Sequence, residues 1–185
     1  MNFWFVNCEL GSTVNCEPPY ISVVVPIYNE GPYLSAFLDA LLEQDYPRDR
    51  VEYFLVDGGS SDGTRELLRE RADADPCLVI VDNPGRYVPF ALNLGLSKAK
   101  GEVIVRMDVH AVYPSDYLTR LVFWLKKTGA DNVGGVWRTR PGATGVRAEA
   151  IARALSSPFG VGGARYRTGV DGPLEVDTVP FGCYP

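Results

Sequence analysis

The chain has 185 residues, of which 46% are hydrophobic and 22% are charged, a composition typical of one globular domain with a substantial core. Its formal net charge of −5 argues against a nucleic-acid-binding protein, because a phosphate backbone requires a basic face. The four cysteines lack the paired spacing of a zinc site. No apolar stretch has the length of a membrane span or the pattern of a signal peptide, so we expect a cytoplasmic protein.

Strand and helix patterns alternate through the first two thirds of the chain. Residues 1–19 predict an irregular lead-in, and apolar, β-branched runs then predict strands at 21–25, 51–56, 77–81 and 102–107. Helical patterns follow these strands, beginning near residues 32, 64, 89 and 114. This alternation predicts an α/β fold, with a mainly parallel central sheet and helices on both faces.

The last third of the chain has a looser pattern. It predicts a strand at 133–137, a helix at 146–155, a glycine-rich segment at 157–172 and a last strand at 176–179. No linker-like composition separates two domains, so residues 20–185 are expected to form one domain.

Polar side chains follow each of the first four predicted strands. In open parallel sheets, ligands bind beyond the carboxyl ends of the strands, and four consecutive loops with such residues therefore predict a binding site there. The residues are Asn29, Glu30, Asp57, Asp82, Asn83, Asp108 and His110.

Asp108 and His110 are two residues apart at the end of the fourth strand, and His110 is the only histidine. In an extended segment both side chains leave the same face, where a carboxylate and an imidazole can hold one divalent cation. The alternative is a solvated strand end with a polar histidine.

Asp57 begins a glycine-rich loop that leads into a helix. The spacing of this loop matches neither the dinucleotide-binding nor the P-loop motif. A carboxylate at Asp57 could accept a hydrogen bond from the imide N–H of a pyrimidine base. Asp62, near the start of the following helix, is expected to cap that helix rather than bind a ligand.

Several motifs in their order resemble those of family 2 glycosyltransferases. They are V-P-I-Y-N-E (25–30), V-D-G-G-S-S-D-G-T (56–64), N-P-G-R (83–86), A-L-N-L-G (91–95), A-K-G-E (99–102) and D-V-H (108–110). The later motifs F-G-V-G-G-A-R-Y-R (159–167) and V-D-T-V-P-F-G (176–182) are similar to the ExoA-type branch of succinoglycan and exopolysaccharide glycosyltransferases. The resemblance implies a Rossmann-like nucleotide-diphospho-sugar transferase fold, GT-A, over residues 20–185.

The resemblance also implies roles for individual residues. Pro26, Tyr28 and Glu30 match the nucleotide-base pocket of the family, and Asp57 matches the residue that contacts the base. Arg86 matches a cation near the diphosphate, with a solvent-exposed loop arginine as the alternative.

Asp108 matches the first acid of the D-x-D motif that binds the metal and the sugar diphosphate, and His110 stands in place of the second acid. The implied cofactor is a divalent cation, Mn²⁺ or Mg²⁺. Imidazole brings no negative charge, so we expect the site to hold hard Mg²⁺ less well.

The general base of the family, an aspartate, follows the region that matches 176–182, so we expect it beyond residue 185 and expect the domain to be incomplete at its C-terminus. The predicted function is inverting transfer of a sugar from a nucleotide-diphospho-sugar, a UDP-sugar being favoured, to a polysaccharide or lipid-linked acceptor. The resemblance implies work at the cytoplasmic face of the membrane, with association through a missing C-terminal part. The alternatives are a catalytically incomplete nucleotide-sugar-binding domain and a sugar-phosphate nucleotidyltransferase.

Overall fold

The computed structural model describes residues 17–185 and the backbone of one strand before them. Its strands are β1 (Phe3–Val6), β2 (Ile21–Ile27), β3 (Val51–Asp57), β4 (Leu78–Asp82), β5 (Val103–Arg106), β6 (Asn132–Gly135), β7 (Leu174–Val176) and β8 (Cys183–Tyr184). Its helices are α1 (Gly31–Leu42), α2 (Thr64–Ala74), α3 (Val88–Lys98), α4 (Tyr117–Thr128), α5 (Val146–Ala154), α6 (Pro158–Val161) and α7 (Arg165–Thr168), with a 3₁₀ turn at Arg48–Arg50.

The described strands form one sheet in the order β4-β3-β2-β5-β8-β6-β1-β7. The first four of these strands are parallel neighbours, as the alternation of strands and helices predicts. Beyond β5 the sheet is mixed, because β8 runs antiparallel to both β5 and β6. The predicted α/β class and the parallel central sheet are therefore confirmed.

Alternate residues of the central strands enter two cores on opposite faces of the sheet. Val23, Val25 and Leu55 join the larger core, which also contains buried leucines of α1, α2 and α4. Val24 and Phe54 join a smaller core on the other face. There α3 packs so closely that a Cβ on Gly95 would overlap the Val24 side chain, which explains a glycine inside this helix. Helices thus cover both faces, as predicted.

Pro26 was predicted to end the first strand, but β2 continues through it to Ile27. The pairing of β2 with β5 ends at Val24, whereas its pairing with β3 extends to the end of β2. Proline is tolerated in a strand where no neighbour needs its missing N–H. The strand can therefore carry Pro26 to the edge of the predicted site.

The two ends of the chain differ from the expectation. Phe3–Val6, expected in an irregular lead-in, forms β1 and pairs parallel to β6, because its aromatic and β-branched residues suit a strand. A last strand was predicted at 176–179, but Leu174–Val176 pairs with β1 and the final strand is Cys183–Tyr184. Residues 1–2 and 7–16 of the lead-in lie outside the described residues.

Candidate functional site

A cleft opens where the order of the strands reverses. Strands β3 and β4 follow β2 on one side, while the chain returns on the other side as β5, and this switch point is where open α/β sheets bind ligands. The cleft is lined by Pro26, Ile27, Tyr28, Glu30, Asn83, Arg86, Val88, Ala91, Asp108, Val109 and His110. Of the seven residues to which the resemblance assigns a role, six line this cleft and Asp57 does not; the six are Pro26, Tyr28, Glu30, Arg86, Asp108 and His110.

Backbone-to-side-chain hydrogen bonds tie the loop after β2 to the loop after β3. The Asn29 N–H donates to Ser60 Oγ at 2.9 Å, and the Ser61 N–H donates to Asn29 Oδ1 at 2.9 Å. Asn29 adopts a positive φ of 54°, which asparagine tolerates better than most residues. The two loops therefore form one unit beside the cleft.

The same unit joins the starts of α1 and α2. The Glu30 N–H donates to Thr64 Oγ1 at 3.0 Å, and Asp62 accepts from the N–H groups of Gly31 at 3.1 Å and Thr64 at 3.2 Å. Hydrogen bonding, first of all to Thr64, lowers the pKa of the Asp62 carboxyl. Asp62 thus satisfies donors at two helix N-termini, but it does so from the position before Gly63, which is the N-cap residue of α2.

Asp57 lies beneath this unit, fully buried. Its Oδ1 accepts from the Ser60 N–H at 3.1 Å and from Ser60 Oγ at 2.6 Å. Its Oδ2 accepts from Arg65 Nη1 at 2.7 Å, and the other end of this guanidinium pairs with Asp82. In this structure the Asp57 carboxylate is thus engaged by protein donors, so a base could reach it only if the Ser60 loop moved.

Arg86 lies in a loop built around the buried side chain of Asn83. Asn83 Oδ1 accepts from the Gly85 N–H at 3.1 Å, and its Nδ2 donates to the Tyr87 carbonyl at 3.2 Å. Arg86 itself is exposed, with a φ of 61°, a backbone region that is uncommon for residues other than glycine. The loop therefore holds the Arg86 side chain at the rim of the cleft.

Gly58 allows the loops after β2, β3 and β4 to meet. A Cβ on Gly58 would lie 3.2 Å from the Arg86 carbonyl oxygen and 3.2 Å from the Tyr28 ring. Tyr28 is half-exposed, so its ring is available to a flat ligand.

Asp108 and His110 line the cleft, but not as an extended pair. Strand β5 ends at Arg106, and Val109 and His110 lie in a turn in which the Ala111 N–H donates to the Asp108 carbonyl at 3.3 Å. The expectation that both side chains leave an extended segment on one face was wrong. In this turn the Val109 side chain is buried and His110 remains exposed.

The Asp108 carboxylate pairs with Arg106, two residues earlier. Arg106 Nε lies 3.1 Å from Oδ1, and Nη2 lies 3.3 Å from Oδ2, so the guanidinium contacts both oxygens. The Phe181 ring covers the guanidinium, with 4.5 Å between Cζ and the ring centroid, and Phe181 in turn stacks on Trp137 at 4.9 Å. The predicted acid of the D-x-D motif therefore already has a cationic partner.

The electrostatics of the cleft are visible at Glu30. Partial burial raises the pKa of its carboxyl; the charge of His110 lowers it, and the charge of Asp108 raises it. The three side chains are thus close enough to influence one another, although they belong to two different loops.

The cleft supplies few side chains that can bind a divalent cation. Among the residues that the structure describes, no three histidine, cysteine, aspartate or glutamate side chains are grouped as a metal site. Mg²⁺-type ions often bind one or two protein ligands and complete their shell with substrate phosphates and water. Asp108 and His110 fit a cation that a diphosphate helps to hold, but not a closed protein cage.

Three residues of the site were missed by the sequence analysis: Arg65, Arg106 and Phe181. Arg65 stands in the first turn of α2, where a cation opposes the helix dipole; that position could have indicated an acidic partner. Arg106 shares the two-residue spacing that drew attention to Asp108 and His110. Phe181 belongs to the motif at 176–182, but that motif does not indicate its contact with Arg106, which arises through long-range strand pairing.

The fold and the cleft define the GT-A class of nucleotide-diphospho-sugar transferases. The chain belongs to glycosyl transferase family 2, because the model of that family matches residues 22–174. The resemblance inferred from the motifs is therefore confirmed, and a nucleotidyltransferase is not favoured.

The relatives include the succinoglycan biosynthesis protein ExoA of Rhizobium meliloti, which is 36% identical over 152 residues, or 81% of this chain and 45% of the relative. Glycosyltransferase AglE of Haloferax volcanii is 32% identical over 63% of this chain and 39% of its own length. The chain thus spans less than half the length of these curated relatives.

Solved structures show the same fold. The mannosyltransferase PcManGT of Pyrobaculum calidifontis, solved with GDP-Man and Mn²⁺, is 38% identical with a TM-score of 0.61, over 68% of this chain and 37% of that protein. S. aureus TarS 1–349, solved with UDP, is 23% identical with a TM-score of 0.57, over 68% and 38% of the two chains. The second likeness bears on the fold alone.

Proposed function

We propose that the cleft binds a nucleotide-diphospho-sugar, a UDP-sugar being favoured, and that the whole protein transfers the sugar with inversion to a polysaccharide or lipid-linked acceptor. The observation that carries the proposal is the convergence of six predicted residues at the switch point of the sheet. The similarity to a succinoglycan biosynthesis protein and to a glycosyltransferase supports it.

In this proposal different lining residues contact different parts of the donor. The half-exposed Tyr28 ring and the side chains of Pro26 and Glu30 face the nucleoside. Arg86 lies at the rim, where its guanidinium can pair with phosphate oxygens in a two-pronged manner. Asp108 and His110 line the same cleft, and in this proposal the diphosphate lies between them and Arg86.

Asp57 is proposed to select the base. Its Oδ2 has one protein donor, and a carboxylate oxygen can accept two hydrogen bonds. A pyrimidine imide N–H could therefore add to the existing pair with Arg65 if Ser60 moved aside. A purine without an N–H at that position would gain less, and this is the physical basis for favouring UDP over ADP.

The implied cation, Mn²⁺ or Mg²⁺, would be held by Asp108, by His110 and by the diphosphate itself. A cation bound there would supply Lewis-acid stabilisation of the departing nucleoside diphosphate. That PcManGT was solved with Mn²⁺ supports this choice. The base that deprotonates the acceptor is not assigned to any described residue and belongs to the proposal about the whole protein.

We also propose that the protein works at an anionic membrane surface. No helix in the described part of the chain is long and apolar enough to cross a membrane. The contact that we propose is made by a surface. The candidate, termed the α5–α6 surface, consists of the exposed apolar side chains Val146, Ile151, Leu155 and Phe159.

Charge supports an anionic lipid as the partner of the α5–α6 surface. Residues 138–167 contain six arginines and one glutamate, in a chain with a formal net charge of −5. Helix α5 turns its small residue Ala152 inward and leaves Ile151 and Leu155, four residues apart, on the outside. Exposed apolar residues interleaved with arginine are typical of helices that lie on an anionic bilayer.

A thermal-shift panel of UDP, GDP and ADP, each with and without Mn²⁺, tests the proposed donor. We expect Mn²⁺-dependent stabilisation by UDP to exceed that by ADP, because adenine lacks the imide N–H that uracil offers to Asp57 and a ligand that binds only the folded state raises its melting temperature. Equal shifts with all three nucleotides would contradict the pyrimidine pocket, and no shift with any of them would contradict the donor site. Saturable binding without transfer or hydrolysis would favour the binding-domain alternative for this chain.

A further inference from the structure

The negative charge of Asp108 is balanced by Arg106, the last residue of β5. The Asp108 side chain is 13% exposed, and each of its oxygens has a nitrogen of Arg106 within 3.3 Å. A partly buried carboxylate needs such a partner, since an unpaired charge there would be costly. Any cation that binds Asp108 therefore approaches carboxylate oxygens that already pair with the Arg106 guanidinium.

Arg106 is itself fixed from two sides. Its backbone N–H donates to the Gly182 carbonyl at 3.0 Å, which keeps Phe181 beside it, and the Phe181 ring covers its guanidinium. Phe181 has a φ of 51° and stacks on Trp137 with an angle of 13° between the rings. A non-glycine residue keeps such a backbone only where its surroundings hold it.

We propose that Arg106 is a resident counter-ion of Asp108, held in place by Phe181, and that it makes cation binding depend on the nucleotide. The inference rests on the proposed nucleotide site and adds a positioning residue that controls when Asp108 is available. A divalent cation alone would compete with Arg106 for the same carboxylate. A diphosphate brings negative charge that attracts both the divalent cation and the Arg106 guanidinium. The two positive groups then no longer compete for the Asp108 carboxylate alone.

The consequence is a positive coupling between cation and nucleotide. By linkage, the factor by which the nucleotide tightens cation binding equals the factor by which the cation tightens nucleotide binding. Arg106 enlarges this factor because it weakens the binding of the cation to the nucleotide-free protein but not to the nucleotide-bound protein. His110 cannot offset this, since an imidazole contributes no negative charge in either protonation state.

The test is a Mn²⁺ titration of the 185-residue chain, followed by the paramagnetic resonance signal of free Mn²⁺, with and without UDP. The variants are Arg106→Met and the control Arg71→Met, which removes an equal charge from α2, where Arg71 pairs with Asp39 of α1. In the wild type and the control, UDP should tighten Mn²⁺ binding by about tenfold or more, within the usual range of coupling. In Arg106→Met, Mn²⁺ alone should bind more tightly and the coupling factor should shrink.

Unchanged or weaker Mn²⁺ binding by Arg106→Met without UDP, in a variant that melts cooperatively, would overturn the proposal. If this variant does not fold, Phe181→Leu is the second test. This change removes the ring that covers the Arg106 guanidinium, so Mn²⁺ should bind more tightly without UDP. Unchanged Mn²⁺ affinity would again overturn the proposal. Failure of UDP to bind the wild type with or without Mn²⁺ would instead contradict the proposed function, while the titrations without UDP would still decide the role of Arg106.

Discussion

Arg65 Nη1 donates a hydrogen bond of 2.7 Å to Oδ2 of the fully buried Asp57. The contact joins the first turn of α2 to the end of β3, and it holds Asp57 in place beneath the loops that follow β2 and β3. Since Asp57 is also the proposed base-selecting residue, the pair links the stability of the fold to the shape of the nucleotide site.

Replacement of Arg65 by methionine should destabilise the protein strongly. The change leaves the Asp57 carboxylate buried without its cationic partner, and the loss of one partner of a buried pair typically costs about 3 kcal/mol or more. Urea unfolding measures the difference. The control Arg71→Met breaks a pair with Asp39 that is more exposed and should cost less than about 1 kcal/mol; equal losses in both variants would contradict this role of Arg65.

Replacement of Glu30 by glutamine should stabilise the protein at neutral pH. The folded-state pKa of Glu30 is raised, chiefly by burial, so the protonated carboxyl stabilises the fold at acid pH and this contribution is lost as the pH rises through the folded pKa. Thermal unfolding at stepwise pH should show Glu30→Gln melting above the wild type at neutral pH, with the gap closing in acid. A pH-independent gap, or the same gap in the control Glu70→Gln on α2, would contradict the assignment.

Replacement of His110 by alanine should weaken Mn²⁺ binding in the presence of UDP. The proposal makes His110 a ligand of the cation, directly or through a water molecule, and the loss of even an outer-shell partner often costs about tenfold in metal affinity. Calorimetric titration of Mn²⁺ into the UDP-saturated protein measures the change. Unchanged affinity would remove His110 from the site and leave a cation held by Asp108 and the diphosphate.

Serine at both Ile151 and Phe159 should reduce binding to anionic vesicles. Removal of two exposed apolar side chains forfeits their burial in the lipid, each worth about 1.5 kcal/mol or more, so binding should fall by more than about tenfold. Co-sedimentation with phosphatidylglycerol vesicles is the measurement, with phosphatidylcholine vesicles and the variant Leu96→Ser, an exposed leucine on α3, as controls. Absence of sedimentation by the wild type, or equal sedimentation of all variants, would contradict the α5–α6 surface.

The central sheet could be predicted because its strands are continuous apolar runs between turn residues. Val51–Asp57, for example, is buried at every position, and a local pattern is enough to identify such a strand. Cys183–Tyr184 could not be predicted in the same way. It is a strand of two residues that exists only because β5 and β6 lie on either side of it, and no local pattern encodes that pairing.

The candidate site was predicted as far as chain geometry determines it. The residues that follow parallel strands meet at one edge of the sheet, which brought Glu30, Arg86 and Asp108 to one cleft. The ion pairs of the site were not predicted, because Arg65 and Arg106 find their partners through loop conformation and strand ends. The turn at His110 was missed for the same reason: it begins just after the end of β5, and the hydrogen bond from the Ala111 N–H to the Asp108 carbonyl has no signal in the alternating pattern.

The central claim is that the switch-point cleft binds a nucleoside diphosphate together with a divalent cation at Asp108. The most direct test is calorimetric titration of UDP in the presence of Mn²⁺ into the wild type, Asp108→Asn and the control Asp116→Asn, which makes the same carboxylate-to-amide change at a residue paired with Arg120 on α4. We predict saturable one-to-one binding by the wild type and the control, and binding weaker by at least about tenfold in Asp108→Asn, as expected when a charged contact is lost. No binding by the wild type, or equal affinity in all three proteins, would contradict the claim.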